Sequence, residues 1–365
     1  MNKVFSITDF GAVGDGVTDS TAAIRKAAAA AAENGGVIHV PPGIYLSGKF
    51  TLGKGVALEG HSAWTYRSDG SSVIRLNDPA ADCLIDITGG FGCSIRGVCL
   101  DGGGLGSRIH GVKLDWPEYN GGSEEDTPSM DDCRIGHFTG DGVHLRHIWC
   151  FSVRHCMLHN NRGAGLFLDG WDGFILDNWF SGNRNGGIRA GEVAASLTIT
   201  GNRVEWNVGG GFLFGSADSV NITGNFFDRS GGPAIRAIAP AGKMAWNFSV
   251  TGNVFRRDGK PDWGPEHPCF SDPNESSHLL LHRCVNWTVT GNNFGCGIDD
   301  GGTGVVSPDY GVVFDECRCL VIRNNTMWCG SRLQNIVDLG NSSELSIGDN
   351  VGQPIGNQKQ WWPDF

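Results

Sequence analysis

Two acidic residues, Glu205 and Asp228, stand 23 positions apart at equivalent places in a repeated sequence pattern. If successive repeats stack as neighbouring β-strands, the two carboxyl groups lie roughly one strand spacing of 4.8 Å apart before their side chains splay. Carboxylates that close repel each other, so one keeps a proton that the other has lost. One acid and one base are the minimum for breaking a glycosidic bond, by retention or by inversion. We therefore predict that Glu205 and Asp228 form a catalytic pair.

This pair belongs to a column of polar residues that should lie outside the fold. Side chains alternate in direction along a strand, and an apolar residue precedes each member of the column. The column reads His159, Ser181, Glu205, Asp228 and Arg256. A second outward column, on the third strand of each repeat, reads His144, Phe167, Arg189, Leu213 and Arg236. The members predicted to bind substrate are His159, Arg189, Arg236 and Arg256. The alternative is a polar surface on which arginines neutralise the two acids.

Aromatic residues near these columns could offer flat faces to sugar rings. Trp171 lies in the turn motif DGWDG and is predicted to contact substrate. Trp206 is predicted to do so as well, although an inward direction as part of the core is equally compatible with the pattern. A Pro-rich stretch at 261–276 carries Trp263 and interrupts the repeat, as does the excursion at 115–127. We expect such loops on a rigid scaffold to form the walls of a binding site.

The elements that must position these side chains are repeats of about 23 residues with the stem apolar-x-apolar-x-x-Asn. Four stems read LTITGN, VNITGN, FSVTGN and WTVTGN. Their asparagine recurs at Asn178, Asn202, Asn225, Asn253, Asn292, Asn325 and Asn350. This period is typical of one coil of a β-solenoid, and asparagines stacked in this way hydrogen-bond along the axis. The inward column that follows from this register is Leu158, Phe180, Val204, Phe227 and Phe255. The pattern predicts an all-β fold.

One helix is predicted near the N-terminus. Residues 21–32 are rich in alanine and contain no helix breaker, with Asp19 or Ser20 as the cap and Gly35 and Gly36 after the end. Such a helix would cover the open end of the apolar core. Because no linker composition follows, we predict one domain over 1–365. It comprises the cap and first strands at 1–54, coils at 55–350 and a tail at 351–365.

Composition argues against several functional classes. The chain has 28 basic and 39 acidic residues and a net charge of −11, which disfavours nucleic acid as a partner. It has no apolar signal segment and no run of membrane-spanning length, so a cytoplasmic protein without membrane contact is expected. The 12 cysteines are scattered without zinc-type spacing and are predicted to be reduced core thiols. No carboxylate cluster suits calcium, so no metal and no cofactor are predicted.

The opening segment DFGAVGDGVTDSTAAIRKA, followed by GGVIHVPPGIYLSG, resembles the start of the pectate-lyase-like right-handed parallel β-helix proteins. That superfamily includes polygalacturonase-type glycoside hydrolases, polysaccharide lyases, phage tailspikes and inulin fructotransferases. The resemblance implies a single-stranded right-handed parallel β-helix with an N-terminal capping α-helix. It also implies an oligo- or polysaccharide substrate and a homotrimer.

The region NVFRRDGKPDWGP is similar to inulin fructotransferases, which use acidic residues on the β-helix surface. By this alignment, their acidic position on the third strand corresponds to Phe167, and the partner acid falls near Arg154 or His155. The resemblance therefore implies that this particular catalytic pair is not retained.

The sequence predicts a carbohydrate-active enzyme that cleaves or transfers across a glycosidic bond. Three alternatives stay open. A lyase or epimerase acting on uronic acids would use a base such as His144, His159 or an arginine near a group that neutralises the sugar carboxylate. The others are a fructotransferase-like activity and a non-catalytic glycan-binding, tailspike-like module.

Overall fold

The computed structural model describes residues 3–66, 69–119, 124–260, 272–298 and 304–356. Two compact units divide the chain, Met1–Arg184 and Asn185–Phe365. Within each unit the chain winds in coils whose strands pair in parallel with those of the next coil, so the predicted parallel β-helix is confirmed. The extent of the single domain stays a prediction. No helix among the described residues is long and apolar enough to cross a membrane.

Each full coil has three faces, which we call the first-, second- and third-strand faces; the first carries the stem. In the N-terminal unit the strands are β1 (Lys3–Ser6), β2 (Asp15–Asp19), β3 (Gly36–His39), β4 (Gly43–Ser47), β5 (Phe50–Thr51), β6 (Ala57–Glu59), β7 (Ser72–Leu76), β8 (Cys83–Asp86), β9 (Ser94–Arg96), β10 (Cys99–Asp101), β11 (His110–Asp115), β12 (Ser129–Asp131), β13 (Arg134–Gly136), β14 (Val143–Arg154), β15 (Met157–His159), β16 (Leu166–Leu176) and β17 (Trp179–Ser181). Strands β14 and β16 each run from the third-strand face into the next first-strand face.

In the C-terminal unit the strands are β18 (Ile188–Thr200), β19 (Arg203–Glu205), β20 (Phe212–Phe214), β21 (Ala217–Thr223), β22 (Phe226–Asp228), β23 (Ile235–Ile238), β24 (Ala245–Thr251), β25 (Val254–Arg256), β26 (Ser277–His282), β27 (Cys284–Thr290), β28 (Asn293–Gly295), β29 (Tyr310–Asp315), β30 (Arg318–Arg323), β31 (Gln334–Asp338) and β32 (Ser343–Gly348). Short 3₁₀ helices lie at Ile7–Phe10 and Pro273–Glu275.

The predicted helix is α1 (Thr21–Asn34). Its apolar side, including the fully buried Ile24, packs against β1, β3 and β5, so it covers the end of the first coils. Of the two predicted caps, the Asp19 carboxylate accepts the Thr21 N–H at 3.0 Å. The Ser20 side chain makes no capping bond and pairs instead with the backbone of Val13.

The predicted inward column forms the core. Its five members, Leu158, Phe180, Val204, Phe227 and Phe255, have no exposed surface. In the C-terminal unit, Phe255 stacks between Phe227 and Phe294, with ring centroids 5.0 and 4.8 Å away. The 11 cysteines that the structure describes are free thiols, and most are buried, as predicted.

The predicted asparagine ladder is confirmed in the C-terminal unit. The side-chain oxygen of Asn225 accepts both the backbone N–H and the side-chain N–H of Asn202, each at 2.9 Å. The same pair of bonds recurs from Asn225 to Asn253 and on through Asn292 and Asn325 to Asn350. The residue before each ladder asparagine has a left-handed backbone, with φ of 64° at Gly252. Glycine adopts that conformation without a steric penalty, which explains the TGN motif.

Replacing Asn253 by alanine should destabilise the protein by about 2–4 kcal/mol. The change removes four hydrogen bonds of the Asn253 side chain and leaves the buried Asn225 N–H groups without their acceptor. Urea unfolding would measure the loss. Asn221→Ala is the matched control, because Asn221 lies exposed on a stem strand. If the two variants are equally stable, the hydrogen bonds of the asparagine ladder do not stabilise the fold.

Candidate functional site

Three successive coils of the N-terminal unit share the pattern glycine-apolar-x-Leu-charged on their third strands. The segments are GVKLD at 111–115, GVHLR at 142–146 and GLFLD at 165–169. Pairing in register aligns Lys113 with His144 and His144 with Phe167. Two residues further on, it aligns Asp115, Arg146 and Asp169. These outward side chains form a grid of two columns roughly 6.6 Å apart, which we call the histidine face.

The charged members of the histidine face hold each other in place. Lys113 Nζ lies 3.0 Å from Asp115 and 3.2 Å from Asp82. Arg146 lies 3.1 Å from Asp115 on the other side and keeps nearly half of its side chain exposed. Burial lowers the pKa of Lys113, but the hydrogen bonds that its ammonium group donates to Asp115 and Asp82 outweigh burial and raise the pKa. Two fixed cations therefore flank His144.

His144 is oriented by a buried carboxylate. Its Nδ1 lies 2.8 Å from Asp141 Oδ2, so the proton of the neutral ring sits on Nδ1 and points at the acid. Asp141 Oδ1 accepts the Ala164 N–H at 2.7 Å, which fixes the carboxylate in turn. The ring of Phe167 stacks on that of His144, with centroids 4.5 Å apart and planes within 12°. Among the residues that the structure describes, the hydrogen bond of the His144 ring is made by Nδ1, so the lone pair of Nε2 is left for another partner.

A second imidazole adjoins Asp141. His110 Nδ1 lies 3.0 Å from the Asp141 backbone nitrogen and 3.3 Å from its Oδ2. One nitrogen cannot donate and accept at once, so the neutral ring accepts the backbone N–H and the protonated ring donates to the carboxylate. Burial raises the pKa of Asp141, but hydrogen bonds from His110, His144 and the Ala164 N–H outweigh it and hold the pKa below its usual range. Asp141 therefore stays ionised beside the two imidazoles.

Aromatic residues stand at the corner where the third-strand face ends. Strand β14 has an irregularity between Arg146 and Ile148, where His147 has a left-handed backbone with φ of 57°. Tyr119, from the predicted excursion, lies 4.3 Å from the His147 ring and 4.7 Å from that of Trp171. Its hydroxyl donates to Asp169 at 2.9 Å. Trp171 is half-buried, so it offers part of one ring face beside the grid.

The same cluster contains a set of metal-ligating groups. His110, Asp141 and His144 offer ligand atoms within 4.8 Å of one another, a two-histidine, one-carboxylate set. The other such group among the described residues is His282, Asp315 and Glu316. A cation bound at Nδ1 of His144 would have to displace the proton that now bonds Asp141. The absence of metal and cofactor stays a prediction.

In the C-terminal unit, Glu205 and Asp228 pair in register on the second-strand face, as predicted. Both are buried, with 5% and 2% of their surfaces exposed. Arg257 donates to both oxygens of Asp228, at 2.8 and 2.7 Å, and Arg229 lies 2.7 Å from Oδ2. Glu205 Oε2 accepts from Arg203 at 3.0 Å. The acids are thus neutralised by arginines; their assignment as a catalytic pair stays a prediction.

The arginines that bind Asp228 do not include Arg256, which the sequence predicted to bind substrate. Arg256 pairs in register with Asp228, but its Nε is buried without a hydrogen-bond partner among the described residues. The arginines that bind Asp228 come from the following turn, where Arg229 and Arg257 have φ of 60° and 53°. Trp206 occupies the same turn position with φ of 59°, half-buried rather than inside the core, with the Arg229 guanidinium 4.9 Å above its ring.

The remaining predicted site residues are scattered. Arg189 is exposed on the third-strand face, and Arg236 lies one coil beyond Leu213 in the same column, 3.6 Å from Glu275. Trp263 lies outside the described residues. His159 pairs with Ser181 in register on the second-strand face and is only 2% exposed.

The sequence-based prediction did not assign Asp141, His110, Lys113 and Arg146, and mentioned His144 only as one of several bases. The repeated pattern of GVKLD, GVHLR and GLFLD would have revealed the grid, had the third-strand column been extended one coil towards the N-terminus.

Asp228→Asn should lower the free energy of unfolding by about 3 kcal/mol or more, because it removes the negative charge that now pairs with Arg229 and Arg257. Urea denaturation would measure it against Asp218→Asn, which changes an exposed acid of the same unit. A loss below about 0.5 kcal/mol, the size of an ordinary surface change, would contradict the structural role of this ion pair.

The stability of the protein should fall as the pH drops from about 6.5 to about 3, in part because of His159. Burial lowers the pKa of His159 from 6.5 to about 3, so the unfolded chain binds a proton in this window that the folded chain does not. His159→Gln should flatten the plot of unfolding free energy against pH by at most roughly 1.4 kcal/mol per pH unit. The exposed His39→Gln serves as control; identical slopes for all three proteins would refute this assignment.

Two family models match the chain. One, described as rhamnogalacturonase A/epimerase, pectate lyase-like, matches residues 4–74. The other, described as a right handed beta helix region, matches residues 96–255. The resemblance to pectate-lyase-like right-handed parallel β-helix proteins is confirmed.

Three solved structures with the same fold come from proteins whose names differ in activity from one another. The A-module of mannuronan C-5 epimerase AlgE6 from Azotobacter vinelandii has a TM-score of 0.61 at 17% identity, over 98% of this chain and 100% of that one. DFA-IIIase from Arthrobacter chlorophenolicus A6 has a TM-score of 0.68 at 15% identity, over 94% of each chain. The enzymatically active domain of tailspike protein 2 from bacteriophage CBA120 has a TM-score of 0.70 at 14% identity, over 95% of this chain and 52% of that one. At these identities the likeness establishes the fold.

Proposed function

We propose that the protein is a polysaccharide-modifying enzyme whose reaction begins with removal of the proton next to the carboxylate of a uronic acid, as in lyases and epimerases. The observation that carries this proposal is the orientation of His144. A buried carboxylate holds its Nδ1–H, so the neutral ring has a basic Nε2, and two cations flank it on the same face. A positioned base beside fixed positive charge is what abstraction of such a proton requires.

The first step transfers the C5 proton of the sugar to His144 Nε2. The electron pair of the broken C–H bond moves into the sugar carboxylate, which becomes a dianionic enolate. Lys113 or Arg146 offsets the added charge, and Asp141 stabilises the imidazolium that forms. The imidazolium then gives its proton to the oxygen on C4 as the C4–O bond breaks, which leaves an unsaturated product. Alternatively, a water molecule on the opposite face gives a proton to C5, which yields the epimer, and His144 returns its own proton to the solvent.

The surroundings of His144 support a sugar as the substrate. Tyr119 and Trp171 present aromatic surface at the corner, and aromatic faces pack against the apolar faces of sugar rings. The buried Asp169 carboxylate accepts the Tyr119 hydroxyl at 2.9 Å and so holds that ring in place. The names of the matched family model and of the AlgE6 module refer to epimerases, which agrees with this class of reaction.

Cleavage of a glycosidic bond by Glu205 and Asp228 is the second candidate. It is favoured by their pairing on adjacent strands, which brings two carboxyl groups together. It also needs both carboxyl groups to reach the substrate. The bidentate contact from Arg257 occupies both oxygens of Asp228, and Arg229 also contacts Oδ2, so we rank this candidate below proton abstraction. A trimeric assembly and a cytoplasmic location stay predictions.

His144→Gln should reduce turnover of a uronic-acid polymer by at least about 100-fold, because glutamine keeps a polar side chain but cannot take the proton. Oligomannuronates and oligogalacturonates would be incubated in D₂O. Ultraviolet absorbance of unsaturated products reports elimination, and deuterium at C5 by NMR reports epimerisation. The control is His39→Gln, an exposed histidine on β3.

Full activity of His144→Gln would refute the proposed base. If, in addition, neutral glycans are cleaved and both Glu205→Gln and Asp228→Asn abolish cleavage while remaining folded, the glycosidase candidate replaces it. Folding of each variant would be checked by circular dichroism and urea denaturation, since loss of Asp228 is itself expected to destabilise the protein.

A further inference from the structure

An open cleft of about 590 Å³ lies in the N-terminal unit, where the second strands end and their turns begin. Its walls are Arg75, Asp101, Gly103, Gly104, His137, Phe138, Asn160 and Arg162. Arg75, Asp101 and Gly136 align in register on neighbouring second strands, and His137 follows Gly136. The cleft is thus built on a different face from His144, by residues that the proposed reaction does not use.

Asp101 is the fixed centre of this cleft. It accepts from Arg75 Nε at 2.8 Å, from the Gly103 N–H at 3.0 Å and from His137 Nδ1 at 3.1 Å. Burial raises the pKa of Asp101, but the hydrogen bonds from His137, the Gly103 N–H and Arg75 outweigh it and hold the pKa below its usual range. Its charge is therefore already balanced, and His137 is oriented with Nε2 directed away from the acid.

Arg162 is the cation that the cleft leaves unbalanced. Its side chain is exposed and has no carboxylate within 4.0 Å among the residues that the structure describes. Asn160, which shares the wall, has a left-handed backbone with φ of 51°, as His137 does with φ of 60°.

A run of aromatic rings leads from the surface to this cleft. Trp64 lies 6.3 Å from Trp179, which lies 5.4 Å from Tyr66. Tyr66 meets His159 edge to face at 5.3 Å, and His159 meets His137 in the same manner at 4.9 Å. Trp64 and Tyr66 are 36% and 44% exposed, although both are large and apolar. Both rings therefore have surface that a ligand can contact, although His155 covers part of Trp64 by stacking on it with ring centroids 4.6 Å apart.

The loop that carries Trp64 and Tyr66 is attached to the coils by a buried arginine. Arg134, only 6% exposed, donates from Nη1 to the Thr65 carbonyl at 2.8 Å and from Nη2 to the Asp69 carbonyl. Asp69 also pairs with Arg75 at the cleft wall. We call Trp64 and Tyr66 the aromatic platform. Arg134, Asp69 and Arg75 therefore connect this platform to the cleft.

We propose that this face is a second saccharide-binding site, which takes an acidic sugar chain remote from the reacting residue. Arg162 binds a sugar carboxylate, His137 and Asn160 bind hydroxyls, and Trp64 and Tyr66 stack on the next rings of the chain. The choice of an acidic sugar follows from the joint presence of an unbalanced guanidinium and a row of aromatic faces. The acidic class of the chain rests on the proposed function, but binding here does not require that His144 be the base.

The test measures binding rather than turnover. Isothermal titration of the full-length His144→Gln protein with defined oligomannuronates and oligogalacturonates gives the affinity without consuming the ligand. Adding Arg162→Ala should weaken the affinity for acidic chains about tenfold. At a higher salt concentration the difference between the two proteins should be smaller, because salt screens the charge of Arg162. The matched control is Arg96→Ala, an exposed arginine on the first-strand face. Trp64→Ala should weaken binding several-fold regardless of salt.

Neutral fructo-oligosaccharides separate the two parts of the proposal. Their binding should depend on Trp64 and not on Arg162. If acidic chains bind equally well to Arg162→Ala, Trp64→Ala and Arg96→Ala proteins, the second site does not exist. If Arg162→Ala weakens binding while His144→Gln alone leaves turnover intact, the site stands and the proposed base falls.

Discussion

The hydrogen-bonded asparagine ladder is the constraint on which the rest of the structure depends. One amide oxygen accepts two N–H groups from the asparagine of the preceding coil, as Asn225 does for Asn202. Because those bonds fix the height and the rotation of each coil, the next strands can align only in one register. A slip of a single residue would turn the apolar column of Phe227 and Phe255 outward. Every outward column of the C-terminal unit takes its position from this register.

What the sequence predicted well was local and periodic. Alternation along a strand identified the inward column from Leu158 to Phe255, and the recurrence of one asparagine predicted the ladder. The helix was evident from an alanine-rich stretch that ends before Gly35. In each case the information lies within one coil or repeats from one coil to the next, so neither a distant contact nor a partner's side chain had to be known.

What the sequence did not reveal depended on side chains that leave the strands. Arg229 and Arg257 reach Asp228 because their turn positions have a left-handed backbone, a direction that alternation does not describe. Tyr119 meets Trp171 from an excursion about two coils earlier in the chain. The platform of Trp64 depends on Arg134, which lies 69 residues beyond the Thr65 carbonyl that it binds. Such contacts join residues that are far apart in the chain, so they produce no periodic pattern in the sequence.

The long interval between Asn253 and Asn292 contains an insertion whose two ends, at Gly259 and Ser276, are hydrogen-bonded to each other. Gly259 N–H donates to the carbonyl of Gly232 at 2.9 Å, and the Ser276 hydroxyl donates to the carbonyl of Gly259 at 3.0 Å. The two ends of the insertion therefore meet at one point, so its length adds little to the entropy of closing the chain. Segments of other length and composition could be exchanged between Gly259 and Ser276 without moving a coil.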